Sequence, residues 1–161
     1  MSDPTVAEAW VAAPLRRLME DARLISGVLL YPTGRAVGQF GFSHAADVMS
    51  ICALTSAINA SARELGRQLD GKPFYEMHHA GAERQVFMAR ASAGAQEFLF
   101  VGVFDRESSL GVVEMYFTEF QKALEKLRPE MPAATKITPA GDFEGELNRS
   151  LDALFGPVGK R

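Results

Sequence analysis

The sequence predicts an α+β domain in the order helix, two strands, long helix, three strands, helix, with one further helix appended. Three observations predict it. The apolar period is helical across Ser43–Asp70 and again from about Leu110 to Arg128. Between Pro73 and Phe104 it changes to two, the period of a strand. Short Gly-containing connectors at Ala80–Glu83 and Ser92–Gln96 suit antiparallel hairpins. A chain of 161 residues, 47% hydrophobic and 23% charged, suits one soluble domain with a sizeable core.

Taken in order, Asp3-Pro4 reads as a helix opening, with Asp as cap and Pro at the first helical position. Pro14 kinks or restarts that helix. Leu24–Tyr31 is almost wholly apolar and reads as a central strand. Pro32-Thr33-Gly34 turns the chain, and Arg35–Gly41 returns as an edge strand weakened by two glycines. Ser43 is placed to cap the long helix. Three strands follow at Pro73–His79, Arg84–Ala91 and Glu97–Phe104, the first an edge strand and the third central. Val113, Phe117, Phe120, Leu124 and Leu127 form the buried stripe of the next helix. Prolines at 129, 132 and 139 mark residues 129–141 as a linker between a domain at 1–128 and a helix at 142–156. That helix is capped by Asp142 and striped by Phe143, Leu147, Leu151, Leu154 and Phe155. So short a helix is marginal alone, and its stripe needs either its own domain or a partner.

The long helix carries two apolar faces. Ile51, Leu54, Ile58, Leu65 and Leu69 are expected to face the core. Ala45, Met49, Cys52, Ala53, Ser56 and Ala60 lie on roughly the opposite side, followed by Arg63 and Arg67. Small side chains let two backbones approach closely. The second face is therefore either sandwiched within the domain or set against a helix of another chain.

Little in the sequence points to catalysis. There is no phosphate-binding loop and no dinucleotide fingerprint. His78 and His79 are adjacent in a strand and point to opposite faces, so they do not suit one metal, and no cofactor is expected. Cys52 has no neighbouring histidine and reads as a small apolar residue. Glu76 faces inward or sits on a solvated edge. Arg63 and Arg67 either reach an anionic partner, act as an arginine finger, or are plain surface arginines near Glu64 and Asp70. A net charge of -3 gives no basic field for nucleic acid. The charge-free run Val48–Ala62 falls short of the ~20 apolar residues of a membrane span, so no membrane insertion is expected. The lone cysteine and the acidic N-terminus suit a cytoplasmic protein without a secretory signal. Phe87, Met88, Phe98, Leu99 and Phe100 either fill the core or line a ligand pocket. The shortage of catalytic groups favours a binding module.

The order of elements and three local patterns resemble the roadblock (dynein light-chain) family. These are LISGVLLYPTGRAV at Leu24–Val37, ARELG at Ala62–Gly66 and VFDRESSLG at Val103–Gly111. Tyr31 departs from the pattern, standing where family hairpins often carry an acidic residue. The tail GDFEGELNRSLDALFG at Gly141–Gly156 looks like the C-terminal helix of the bacterial MglB-type members. The resemblance implies an αββαβββα sandwich. Its five-stranded antiparallel sheet would carry the long helix on one face and the other two domain helices on the opposite face. It implies a homodimer joined through sheet edges and long helices. It also implies a platform that binds a Ras-like small GTPase of the MglA type and stimulates GTP hydrolysis by a conformational mechanism, in cell polarity or motility. On that reading Ala45, Met49, Cys52, Ala53, Ser56, Ala60, Arg63 and Arg67 serve the mate or the GTPase. The same reading makes Phe143, Leu147, Leu151, Leu154 and Phe155 an additional GTPase contact. The alternative is a dimeric scaffold that tethers a GTPase or another complex without accelerating hydrolysis.

Overall fold

A computed structural model describes residues 3–127. The linker and the helix expected at 142–156, with Phe143, Leu147, Leu151, Leu154 and Phe155, lie outside the described residues. The elements are β1 (Thr5–Val6), a 3-10 turn at Ala9–Val11, α1 (Ala12–Asp21), β2 (Ser26–Leu30) and β3 (Ala36–Phe40). Then come α2 (Ala45–Asp70), β4 (Glu76–Ala80), β5 (Gln85–Ala93), β6 (Gln96–Phe104) and α3 (Leu110–Lys126). The sheet is antiparallel in the order β1-β3-β2-β6-β5-β4. The α+β sandwich is as expected, with six strands in place of five.

The extra strand corrects the reading of the N-terminus. Asp3-Pro4 opens no helix. Thr5 and Val6 are β-branched and pair with Gln39 and Gly38 instead. β3 is therefore flanked on both sides and is not an edge. Pro14 falls in the first turn of α1, where no intrahelical N–H is required, so it restarts the helix without kinking it. The residue before α2 is His44, not Ser43, and neither side chain makes a cap bond. α2 ends at Gly71, whose left-handed φ of 71° lets its N–H reach the Arg67 carbonyl.

Each face of the sheet has its own core. On one, Phe40, Phe87, Phe98, Phe100 and Phe104 meet Leu15 and Leu18 of α1 and Val113, Phe117, Phe120 and Leu124 of α3. Ring centroids of Phe117 lie 5.3 Å from Phe87 and 5.6 Å from Phe100, a contact distance for aromatic pairs. The five apolar strand residues that could have lined a pocket are all buried in the two cores. On the other face Val28, Leu30, Met88, Leu99 and Val101 receive Val48 and Cys52 of α2.

Glu8 fastens the N-terminal arm to the first hairpin. Trp10 Nε1 donates to Glu8 Oε2 at 2.6 Å, and the Tyr31 hydroxyl donates to Glu8 Oε1 at 2.7 Å. Arg35 completes the group, 3.7 Å from the carboxylate and 4.5 Å above the Tyr31 ring centroid. Tyr31 thus supplies the donor and Glu8 the acceptor that tie arm and hairpin together. Burial, with the hydrogen bond and the charge of Glu8, pushes the Tyr31 phenol up to about 12. A raised phenol pKa means the folded chain holds this proton more tightly than the unfolded chain does. The resulting stability is complete below about pH 10 and is lost as pH rises through about 12. An ultraviolet titration should find Tyr31 ionising late. Glu8→Ala should bring that titration down and cost on the order of 1–3 kcal/mol in chemical denaturation. An unmoved Tyr31 titration in the variant would exclude the carboxylate as its partner.

Candidate protein-binding surface on the long helix

α2 packs chiefly on β2, β3 and β6. Its inner arc is Val48, Cys52, Thr55, Ala62 and Gly66, with Asn59 half-buried among them. This overturns the expected core stripe. Leu54, Leu65 and Leu69 are 59%, 51% and 72% exposed, while Ile51 and Ile58 are half-buried. The reason is steric. The inner arc is made of small side chains, so the helix lies close to what it covers. A Cβ on Gly66 would stand 2.6 Å from the Lys72 carbonyl oxygen and the Phe74 nitrogen. A leucine-bearing arc would hold the helix farther off.

The residues expected to meet partners separate into three groups. Ala45, Met49, Ala53, Ala60 and Arg67 are exposed, Met49 at 73%. Ser56 and Arg63 are half-buried. Cys52 is 2% exposed and belongs to the core beneath α2, so it cannot touch a partner; its position on the wheel is adjacent to Val48 and Thr55, the centre of the buried arc. Burial also pushes its thiol up, away from the reactive thiolate. Arg67 lies 3.7 Å from Glu64, one turn before it, so it is partnered along its own helix.

By length and composition alone, α2 is long and apolar enough to cross a membrane. The charge-free run understated this. The helix is nonetheless a sheet-packing element whose buried arc contains Thr55 and Asn59. Its apolarity exceeds what the described residues bury, and that surplus is the surface sequence reasoning missed. The signal was present in the apolar residues found nearly all round the helix; only their division into inside and outside was misread.

The rest of the chemistry is sparse. Among the described residues no three His, Cys, Asp or Glu side chains converge as a metal site. His78 lies 2.8 Å from Gln85 Oε1 and stacks over Phe104, while His79 is exposed. Partial desolvation, with the nearby charge of Glu114, pushes the carboxyl of the surface residue Glu76 up. β4, which carries these residues, is the sheet edge opposite β1, and four of its five residues are exposed.

No family model and no curated protein matches this chain, but solved structures do. MglB of Myxococcus xanthus superposes with a TM-score of 0.66 at 25% identity, covering 78% of this chain and 99% of its own. The gliding protein MglB of Thermus thermophilus gives 0.66 at 18%, covering 81% and 99%. A Roadblock/LC7 domain from Streptomyces avermitilis gives 0.54 at 21%, covering 66% and 84%.

The burial of Cys52 has a direct check. In the native protein it should react with a maleimide about 100-fold more slowly than in denaturant, since labelling waits for local opening. The thiol introduced by Ala53→Cys should react at once. Fast native labelling of Cys52 would return it to the exposed surface.

Proposed function

From the premise that the chain is a roadblock-family, MglB-like protein, we propose that it is a homodimeric regulator of a Ras-like small GTPase of the MglA type. On this proposal it stimulates the partner's GTP hydrolysis. The observation that carries the reading is the long exposed apolar surface of α2, beside an open β4 edge. Both lie uncovered among the described residues, and contiguous exposed apolar surface marks an interaction site. The likeness to the Myxococcus MglB, over nearly all of that protein, supports the choice of partner.

The regulator supplies no reacting group. The resemblance implies a conformational mechanism. Binding favours the hydrolysis-competent state of the GTPase by the difference in affinity for its two states, and by no more than that difference. The segment bearing Phe143, Leu147, Leu151, Leu154 and Phe155 is a further GTPase contact on this reading. The pair acts in the cytoplasm, at a cell pole, in polarity or motility.

Single-turnover GTP hydrolysis by the MglA-type GTPase of the same organism, with and without this protein, tests the proposal. The expected result is a rate that rises and saturates with added dimer. Binding without acceleration would assign the protein to a tethering scaffold, and absence of binding would remove the GTPase altogether.

A further inference from the structure

We propose that the cleft between α1 and α3 binds a small amphiphilic anion, a long-chain carboxylic acid. Its hydrocarbon tail lies in the cleft and its carboxylate meets Arg17 and Lys126 at the rim. The site is on the face of the sheet opposite α2 and stands independently of the reading above.

The cleft arises from how the two helices pack. At one end they are tied together, where the Ser108 hydroxyl, just before α3, donates to the Ala22 carbonyl, just after α1, at 2.6 Å. Farther along they enclose a cavity of about 540 Å³. Small-molecule sites run from about 300 to 1,000 Å³. The floor is Leu18 and Phe120, 2% and 3% exposed. Trp10, Pro14, Tyr116 and Leu127 are half-buried and form the walls. These are not the strand residues that sequence alone offered as a pocket lining, which lie in the cores on either side of the sheet.

The walls are already in place. The indole N–H of Trp10 is held by Glu8, and its ring centroid lies 5.7 Å from that of Phe98. Pro14 has a fixed φ. A ligand entering such a site does not bear the cost of ordering it. The lining runs from Trp10 to Asp21 on one side and from Tyr116 to Leu127 on the other, about 16 Å each at the helical rise. A floor so nearly closed suits a slender chain rather than a helix of about 10–12 Å diameter.

Charge selects the head group. The chain is acidic overall, with a net charge of -3, yet the cavity is lined by Arg17, Lys122 and Lys126 against Asp21 and Glu119. Lys122 and Glu119 satisfy each other at 3.0 Å. Among the described residues Arg17 and Lys126 form no ion pair, whereas the neighbouring Arg16 pairs with Asp3 at 3.1 Å. A carboxylate matches the guanidinium fork of Arg17. With Asp21 one turn away on the same helix, the rim balances one negative charge rather than two. That favours a carboxylate over a phosphate monoester.

Trp10 is the sole tryptophan of the chain, so its emission reports on the cavity directly. Laurate, added to the full chain below its micellar concentration, should change that emission saturably, bind one per chain in calorimetry and raise Tm. Ala123→Phe, placing a ring in the cavity, should abolish the response with circular dichroism unchanged. Ala13→Phe, at an exposed position on the other wall, should do the same should the first variant fold poorly. Arg17→Gln with Lys126→Gln should weaken laurate about tenfold and leave the binding of lauryl alcohol as it was. The site is overturned if laurate gives no saturable response, or if the folded phenylalanine variants bind it like the parent; the cleft then falls to a helix of another protein. Equal affinity of the parent for laurate and lauryl alcohol, or a glutamine variant that binds laurate undiminished, would overturn the anionic head group.

Discussion

The close seating of α2 on its sheet is the constraint on which the rest of this molecule depends. Cys52, Thr55, Ala62 and Gly66 are small enough for the inner arc of the helix to seat without using its large aliphatic residues. Those residues are displaced to the outside. A helix with leucines inward would have had a thicker core and a polar exterior. This one has a thin core and an apolar exterior, and a surface of that kind persists in water only when something covers it.

The other face of the sheet is built on the opposite plan. Five phenylalanines from the strands, with Phe117 and Phe120 of α3, fill the space under α1 and α3. Nothing aromatic of that core is left exposed. The N-terminal arm closes one sheet edge, and Glu8 holds it there through Trp10 and Tyr31. The phenylalanine face keeps a cavity of about 540 Å³ between α1 and α3, lined by Trp10, Leu18, Tyr116 and Phe120 among others. Among the described residues, the half-covered face and the β4 edge meet in a region bounded by α2 and β4.

Most of this architecture was legible in the sequence. The change of apolar period from helix to strand and back located α2, β4–β6 and α3, because period reports directly on which residues share a face. Two features were not legible. Thr5-Val6 is too short to have a period, and its pairing depends on where β3 lies in space. Reading α2 by residue size placed Leu54, Leu65 and Leu69 inside, because large apolar side chains normally carry the core. Period alone identifies the faces of a helix and is silent about which one turns inward when several are apolar. The inner arc is set by how close the helix axis comes to the sheet, which is a property of the packed structure. The same ambiguity put Cys52 on the wrong side.

Magnitudes decide what kind of partner the exposed leucines of α2 suit. Burying what remains exposed of one such leucine contributes on the order of 1–2 kcal/mol. Two copies meeting across a two-fold axis bury both sets at once, which reaches roughly the cost of immobilising one chain against another. The leucines alone would therefore leave association near balance. In the proposed homodimer the β4 edge, unpaired among the described residues, supplies the difference through directional hydrogen bonds that another strand can make. A globular partner without a free strand could cover the leucines but not the edge. A second copy, as in the proposed homodimer, satisfies both with one operation.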